Sequence, residues 1–194
     1  MKLVIHRINV KQIIAIFILI SSIYAQSINL TTNFKTISEW DINKSTNIIS
    51  MIKNNGTYFN LYYNLKRKFK NGNLSVYFKA NSGYMDQGGG LMWRVQNKNN
   101  YYIARFNPLE DNFTYYKVIN GRRITLQSIN IILSKGWHKM TIIQKNTNFE
   151  AYIDDRKLLQ YNDNSISKSG GIGLWTKSDA QTSFKNLEIN TISK

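Results

Sequence analysis

The chain contains no cysteine, a single proline at Pro108, two histidines, and 11 acidic residues against 26 basic ones in a length of 194. Each shortage removes a class of chemistry. Without cysteine there is no disulfide framework, no thiolate-held zinc, no Cys-His nucleophile and no lipid-modified cysteine, so stability must come from packing alone. Beyond the first 25 residues the only histidine is His138. That excludes a histidine-rich metal site, and a Ser-His-Asp triad would have to use His138 itself. Long apolar runs are also missing. The strongest one, residues 13–20, falls far below the roughly 20 residues that span a bilayer.

That short run has a different meaning. Lys2, Arg7 and Lys11 precede it and Ser21-Ser22-Ile23-Tyr24-Ala25 follows, the charge, apolar core and small residue of a signal peptide over 1–25. The remainder, 26–194, is long enough for one domain with a real core and short for two. A secreted or periplasmic domain with no membrane anchor after cleavage is expected. The formal charge is +15, of which the three leader cations carry three. So basic a domain favours acidic partners such as uronate, sulfate or an anionic cell surface. Abundant Asn, Ile and Lys also fit plain compositional bias. Nucleic acid would exploit the same charge, but export argues against it.

The richest stretch lies between Gly88 and Leu126, where GGGLMWRV, YYIARF, FTYYKV and RITL are separated by QNKNN, NPLEDN and NGR. β-branched and aromatic residues fill the segments and turn formers fill the gaps, which predicts an antiparallel meander. Tyr58 to Tyr63 and Leu74 to Phe78 alternate at period two, with the basic run Lys66-Arg67-Lys68 read as an exposed turn between them. Residues 127–135 read as looser chain. Further strands follow at 137–144, 149–153, 157–160, 172–177 and 182–189, with Asp154-Asp155 as a hairpin turn. Strands end to end with no long helix predict an all-β, two-sheet antiparallel sandwich.

The order GGGLMWR, NNYYIARFNPLEDN, YYKVINGRR, GWHKMTII, FEAYIDDRKLL and GGIGLWTKSDAQTSFKNLEI resembles the concanavalin A-like lectin and glucanase jelly roll, close to the bacterial 3-keto-disaccharide hydrolase domain and to laminin G-like modules. The resemblance covers 74–189 and implies two stacked sheets, one concave. It does not imply catalysis, because sugar binders, spacers and hydrolases share this scaffold. Lys185 stands where relatives usually carry an aspartate before the final strand. Calcium is common in such sandwiches, but no cofactor is expected here, since Asp154-Asp155 reads as a turn.

Two functional readings follow. Alternation places Arg94, Arg105, Asn107, Tyr115, Lys117, Trp175 and Lys177 on one basic, aromatic face. A sugar would find there an aromatic plane for its C–H face and donors for its hydroxyls. This reading is carbohydrate binding, with an acidic glycan as a favoured partner. The rival reading, implied by the resemblance, is a glycoside hydrolase acting on 3-keto-disaccharides. Glu110 would be its acid or base, paired with Asp86 or Asp179, and Arg94 and Arg105 would orient the substrate. The strand signature E-x-D-x-(x)-E of laminarinase-type jelly rolls is absent, and the scattered acids also suit turn capping. A structural or adhesion module is the third reading. His138 shares a face with Met140 and Ile142, which favours a packed structural histidine.

Overall fold

The computed structural model describes residues 25–191, so the leader expected over 1–25 lies outside the described residues apart from Ala25. Among the described residues the chain forms strands and no helix. The early strands are β1 (Gln26–Ser27), β2 (Lys35–Ile37), β3 (Glu39–Asn43), β4 (Ile48–Lys53), β5 (Phe59–Phe69) and β6 (Gly72–Ser82). The meander is β7 (Gly89–Asn97), β8 (Asn100–Asn107), β9 (Asn112–Ile119) and β10 (Arg122–Asn130). β11 (His138–Lys145), β12 (Asn148–Ile153), β13 (Arg156–Asn162), β14 (Gly170–Lys177) and β15 (Gln181–Thr191) complete the fold.

The strands form two antiparallel sheets. The front sheet runs β10-β9-β8-β7-β14-β5-β2, and the back sheet runs β13-β12-β11-β6-β15-β4-β3 with β1 added to β15. The expected all-β sandwich is therefore the observed architecture. Turn chemistry sets its hairpins. Asn120 and Gly121 (φ 52° and 80°) close β9 onto β10, and Asp154 and Asp155 (φ 49° and 62°) close β12 onto β13. A two-residue hairpin loop wants positive φ at both positions, which Asn, Asp and Gly tolerate best.

Two segments differ from the sequence reading. The basic run Lys66-Arg67-Lys68 lies inside β5, and the chain turns only after Phe69 before crossing to the back sheet. Side chains that alternate between exposed and half-buried let a strand carry three cations along its outer edge. Residues 127–130, expected to be loose, continue β10 beyond a bulge between Thr125 and Gln127. The bulge resets the alternation, so the apolar period that marks a strand is broken there.

Between the sheets Trp93 stacks on Tyr102 at 5.5 Å and meets Phe149 edge-on at 5.7 Å. The Trp93 indole N–H donates to Gln144 Oε1 at 2.8 Å, while the Gln144 amide donates to the carbonyls of Asn146 and Asn148. This buried polar pair is fully used, as a core requires.

The outward face of the front sheet carries a second apolar cluster that includes Leu61, Met92, Tyr101, Ile103, Tyr116 and Trp175. This face is concave. The Arg123 guanidinium, from edge strand β10, lies 5.9 Å from the ring of Phe59 on β5. Those two strands stand five positions apart in the sheet, roughly 24 Å if it were flat, so the sheet must curl to bring them together. Register shifts in β7, β10 and β14 supply the bends.

Candidate functional site

Register decides which predicted residues meet. Cross-strand partners share a face, so the pairings Thr114–Arg105, Arg105–Gly90, Gly90–Trp175 and Trp175–Leu61 form one row across the concave face. Gly90 contributes no side chain to this row, and the backbone of β8 lies close against it. A Cβ at Gly90 would lie 1.7 Å from the carbonyl oxygen of Ala104, so only glycine fits.

Asp86 and the half-exposed Glu110 converge on Arg105. The Arg105 Nη2 donates to Asp86 Oδ1 at 2.5 Å, and Nη1 donates to Glu110 Oε2 at 3.2 Å. Lys177 Nζ lies 3.4 Å from Asp86 Oδ2, and Nη1 of Arg105 also approaches the Tyr116 hydroxyl at 3.4 Å. Arg105 and Asp86 are both 1% exposed at the side chain, so this is a desolvated charge pair that opens to solvent only through Lys177 and Glu110. Burial works to lower the Arg105 pKa, but the charge and hydrogen bond of Asp86, followed by Tyr116 and Glu110, hold it above its ordinary value. Burial also works to raise the Glu110 pKa, and hydrogen bonds from Asn112, Arg105 and Asn107 bring it below the ordinary carboxylate value. Both groups are therefore ionised at neutral pH.

Asp86 is delivered by the loop joining β6 to β7. Asp179, just beyond β14, accepts the backbone N–H groups of Tyr84, Met85 and Asp86 at 2.7 to 3.1 Å. Desolvation pushes the Asp179 pKa up, and those three N–H donors outweigh it and hold the carboxyl below its ordinary value. The latch turns Tyr84 and Met85 outward, 92% and 74% exposed, at the rim of the groove. A shallow cavity of about 350 Å³ lies against this rim, lined by Asn54, Tyr58, Met85 and Asp179 among others. Lys177 Nζ sits 5.2 Å from the Tyr58 ring at the same edge.

Several polar atoms of this face are shielded from solvent: Arg105 Nε and Arg123 Nη1 lack hydrogen-bond partners, Asp86 Oδ2 has only the Lys177 ammonium at 3.4 Å, and the Trp175 indole nitrogen faces the Tyr101 hydroxyl. Burial raises the Tyr101 phenol well above its ordinary pKa. Buried donors and acceptors are nearly always paired, so Arg105 Nε and Arg123 Nη1 are exceptions on this face.

Of the residues expected on one face, the structure gathers Arg105, Asn107, Trp175 and Lys177, with Glu110 at the edge. Asn107 works locally, accepting the N–H groups of Gln87 and Leu109. Tyr115 and Lys117 point the other way. Register pairs Ala104 with Tyr115 and Tyr102 with Lys117, so odd positions on β8 share a face with even positions on β9. Tyr115 accordingly packs between the sheets against Phe149 at 4.9 Å, and Lys117 holds Asp163 at 2.7 Å and Ser165 at 2.6 Å.

Arg94 is a second correction. Register alone would place it opposite Tyr101, on the same face as Arg105, but its φ of 48° and the shift between Trp93 and Asn97 swing it out of line. Its guanidinium donates to the carbonyls of Lys70, Asn146 and Ile166, tying loops together roughly 14 Å along β7 from Gly90. Arg94 therefore orients no ligand in this groove.

His138 lies on the back sheet between Asp154 Oδ2 at 2.6 Å and the Ser134 carbonyl at 2.8 Å, a structural placement. Lys185 covers Trp137 at 4.3 Å, also away from the groove. Among the described residues no three His, Cys, Asp or Glu side chains gather in an arrangement that would hold a metal ion. Arg123, Tyr116, Tyr101 and Phe59 were not singled out in the sequence, because their shared face depends on the register across six strands.

The sequence profile described as the 3-keto-alpha-glucoside-1,2-lyase-like domain matches residues 28–190. No curated protein matches the chain. Among solved structures, the carbohydrate binding module CBM66 from Bacillus subtilis superposes with a TM-score of 0.71 at 18% identity, covering 80% of this chain and 94% of its own. The Bacillus licheniformis β-glucanase gives 0.61 at 9% identity, covering 87% and 98%. A Crh5 transglycosylase in complex with NAG gives 0.59 at 10% identity, covering 87% and 84%. At such identities the likeness is one of fold.

Proposed function

The chain belongs to the 3-keto-alpha-glucoside-1,2-lyase-like domain family, and from that premise we propose that it is an exported carbohydrate-binding domain whose ligand lies on the concave face of the front sheet. One observation carries this reading: Lys177 and Glu110 stand at the accessible edge of that face around the buried Arg105–Asp86 pair, with the exposed side chains of Tyr58, Tyr84 and Met85 at its rim. A polyhydroxylated ring offers donors and acceptors to the accessible ends of Lys177 and Glu110, and its C–H face suits the exposed rings of Tyr58 and Tyr84. Export rests on the leader read over 1–25.

A glycan array tests the proposal with wild type, Lys177→Ala, Trp175→Ala and, as a control on the back sheet, Arg156→Ala. Lys177 stands at the mouth and its removal leaves Arg105 paired with Asp86. The expected result is retention by wild type and Arg156→Ala, with retention lost in Trp175→Ala and weakened in Lys177→Ala. Equal retention by all four proteins would reject the site.

The second reading is cleavage of 3-keto-glycosides. It is favoured by two carboxylates, Asp86 and Glu110, meeting on one guanidinium beside Lys177. In such a substrate the proton next to the ketone is acidic, so a carboxylate can remove it while the cations hold the enolate oxygen. As the carbonyl re-forms, the glycosidic C–O bond beta to the ketone breaks and the departing sugar oxygen takes up a proton. Turnover of a 3-keto-disaccharide that disappears in Glu110→Gln would support this reading. Full turnover in that variant would remove Glu110 from the chemistry.

A further inference from the structure

Arg105 and Lys177 each have a carboxylate beside them, but Arg123 does not: among the described residues no acidic side chain forms an ion pair with it. Its guanidinium is held instead by three rings, 4.4 Å from the centroid of Tyr116, 5.8 Å from Trp175 and 5.9 Å from Phe59. Its Nη1 is shielded and has no hydrogen-bond partner. The groove's fixed charges therefore nearly balance around Asp86 and leave one cation over.

Aromatic contact holds a guanidinium by its face, and with Nη1 shielded the Nε and Nη2 edge is the one left for a ligand in its plane. That arrangement suits a planar carboxylate, which accepts two parallel N–H bonds. A neutral sugar would gain little from an unpaired, partly desolvated cation, because hydroxyls do not compensate its charge. We infer that the groove selects a uronate-containing glycan and that Arg123 is its specificity-determining residue, taking the sugar carboxylate while Lys177 and Glu110 take hydroxyls. This inference rests on the carbohydrate-binding reading above and adds the charge of the ligand to it.

The test measures affinity for galacturonate- and glucuronate-containing oligosaccharides, each beside its carboxyl-reduced counterpart, using wild type, Arg123→Gln, Arg123→Lys and Arg122→Gln. The exposed Arg122 controls for net charge. The expected result is a preference for the acidic form of roughly tenfold. That preference should be lost in Arg123→Gln, partly kept in Arg123→Lys and unchanged in Arg122→Gln, with binding of the reduced glycan retained throughout. Equal wild-type affinity for the acidic and reduced forms overturns the role of Arg123 and leaves carbohydrate binding standing. So does a preference that survives in Arg123→Gln, or retention of sulfated glycans with uronates ignored. Failure to bind any form overturns both.

Discussion

Arg105 joins more of the site than any other side chain, because Asp86, Glu110 and Tyr116 all meet its guanidinium. Replacing it with methionine would keep much of the volume but leave the Asp86 carboxylate buried with only Lys177 nearby. Breaking one side of a buried ion pair costs about 3–5 kcal/mol, so Arg105→Met should lower the thermal midpoint sharply. Arg105→Met combined with Asp86→Leu should recover much of that loss, since a buried pair replaced by apolar groups is often neutral for stability. Calorimetry of the two single variants and the double variant checks this. If the double variant is no more stable than Arg105→Met, the pair is not the coupled unit described here. Trp93 offers a parallel case in the core, where Trp93→Phe strands Gln144 Oε1 and should cost about 1–3 kcal/mol.

At the scale of elements, the latch from Asp179 to the β6–β7 loop holds Asp86 in place. The folded pKa of Asp179 lies below its ordinary value of 3.8, so its contribution is complete above that pH and is lost as the pH falls through the depressed value. Amide exchange at Tyr84, Met85 and Asp86 should accelerate in Asp179→Asn at neutral pH, with β11 and β12 unaffected. Exchange unchanged by the substitution would mean that the loop is held by other contacts. Gly90→Ala should fail more severely, because its Cβ meets the backbone of β8 rather than a movable side chain.

The elements also show what the sequence could and could not reveal. Strand positions in the meander were legible, since aromatic and β-branched runs alternate with Asn, Asp and Gly. Face assignment was legible only within one strand. Arg105 and Trp175 meet because register happens to align odd positions on β8 and β14, whereas on β9 it aligns even ones, and Tyr115 and Lys117 fall away for that reason. At Arg94 a single residue with positive φ undoes the alternation. Arg123 was hidden for a further reason, since two of its three ring partners, Phe59 and Trp175, come from strands distant in sequence and reach it only through the curl of the sheet.

For the molecule as a whole, the front sheet faces outward with a curved surface of aromatic and charged groups, while the back sheet supplies the support. The excess of 26 basic over 11 acidic residues gives the chain a positive field at long range. Capture of an acidic glycan should therefore weaken as salt rises from 0.1 M to 1 M and the screening length shrinks from about 10 Å to about 3 Å. Measured on and off rates would separate this long-range attraction from local contacts, with salt acting mainly on the former. A dissociation rate that carries the whole salt effect would contradict this division.

The central claim is that ligand meets the concave face, and the four tryptophans make it directly measurable. Trp40 donates to the Ile37 carbonyl, Trp93 donates to Gln144, Trp137 lies under Lys185, and Trp175 alone stands in the Arg105–Gly90 row. In an amide-proton NMR titration with a retained glycan, the Trp175 indole signal should shift in proportion to binding while the other three stay in place. A ligand that binds and moves Trp137, or moves none of the four, would contradict the account.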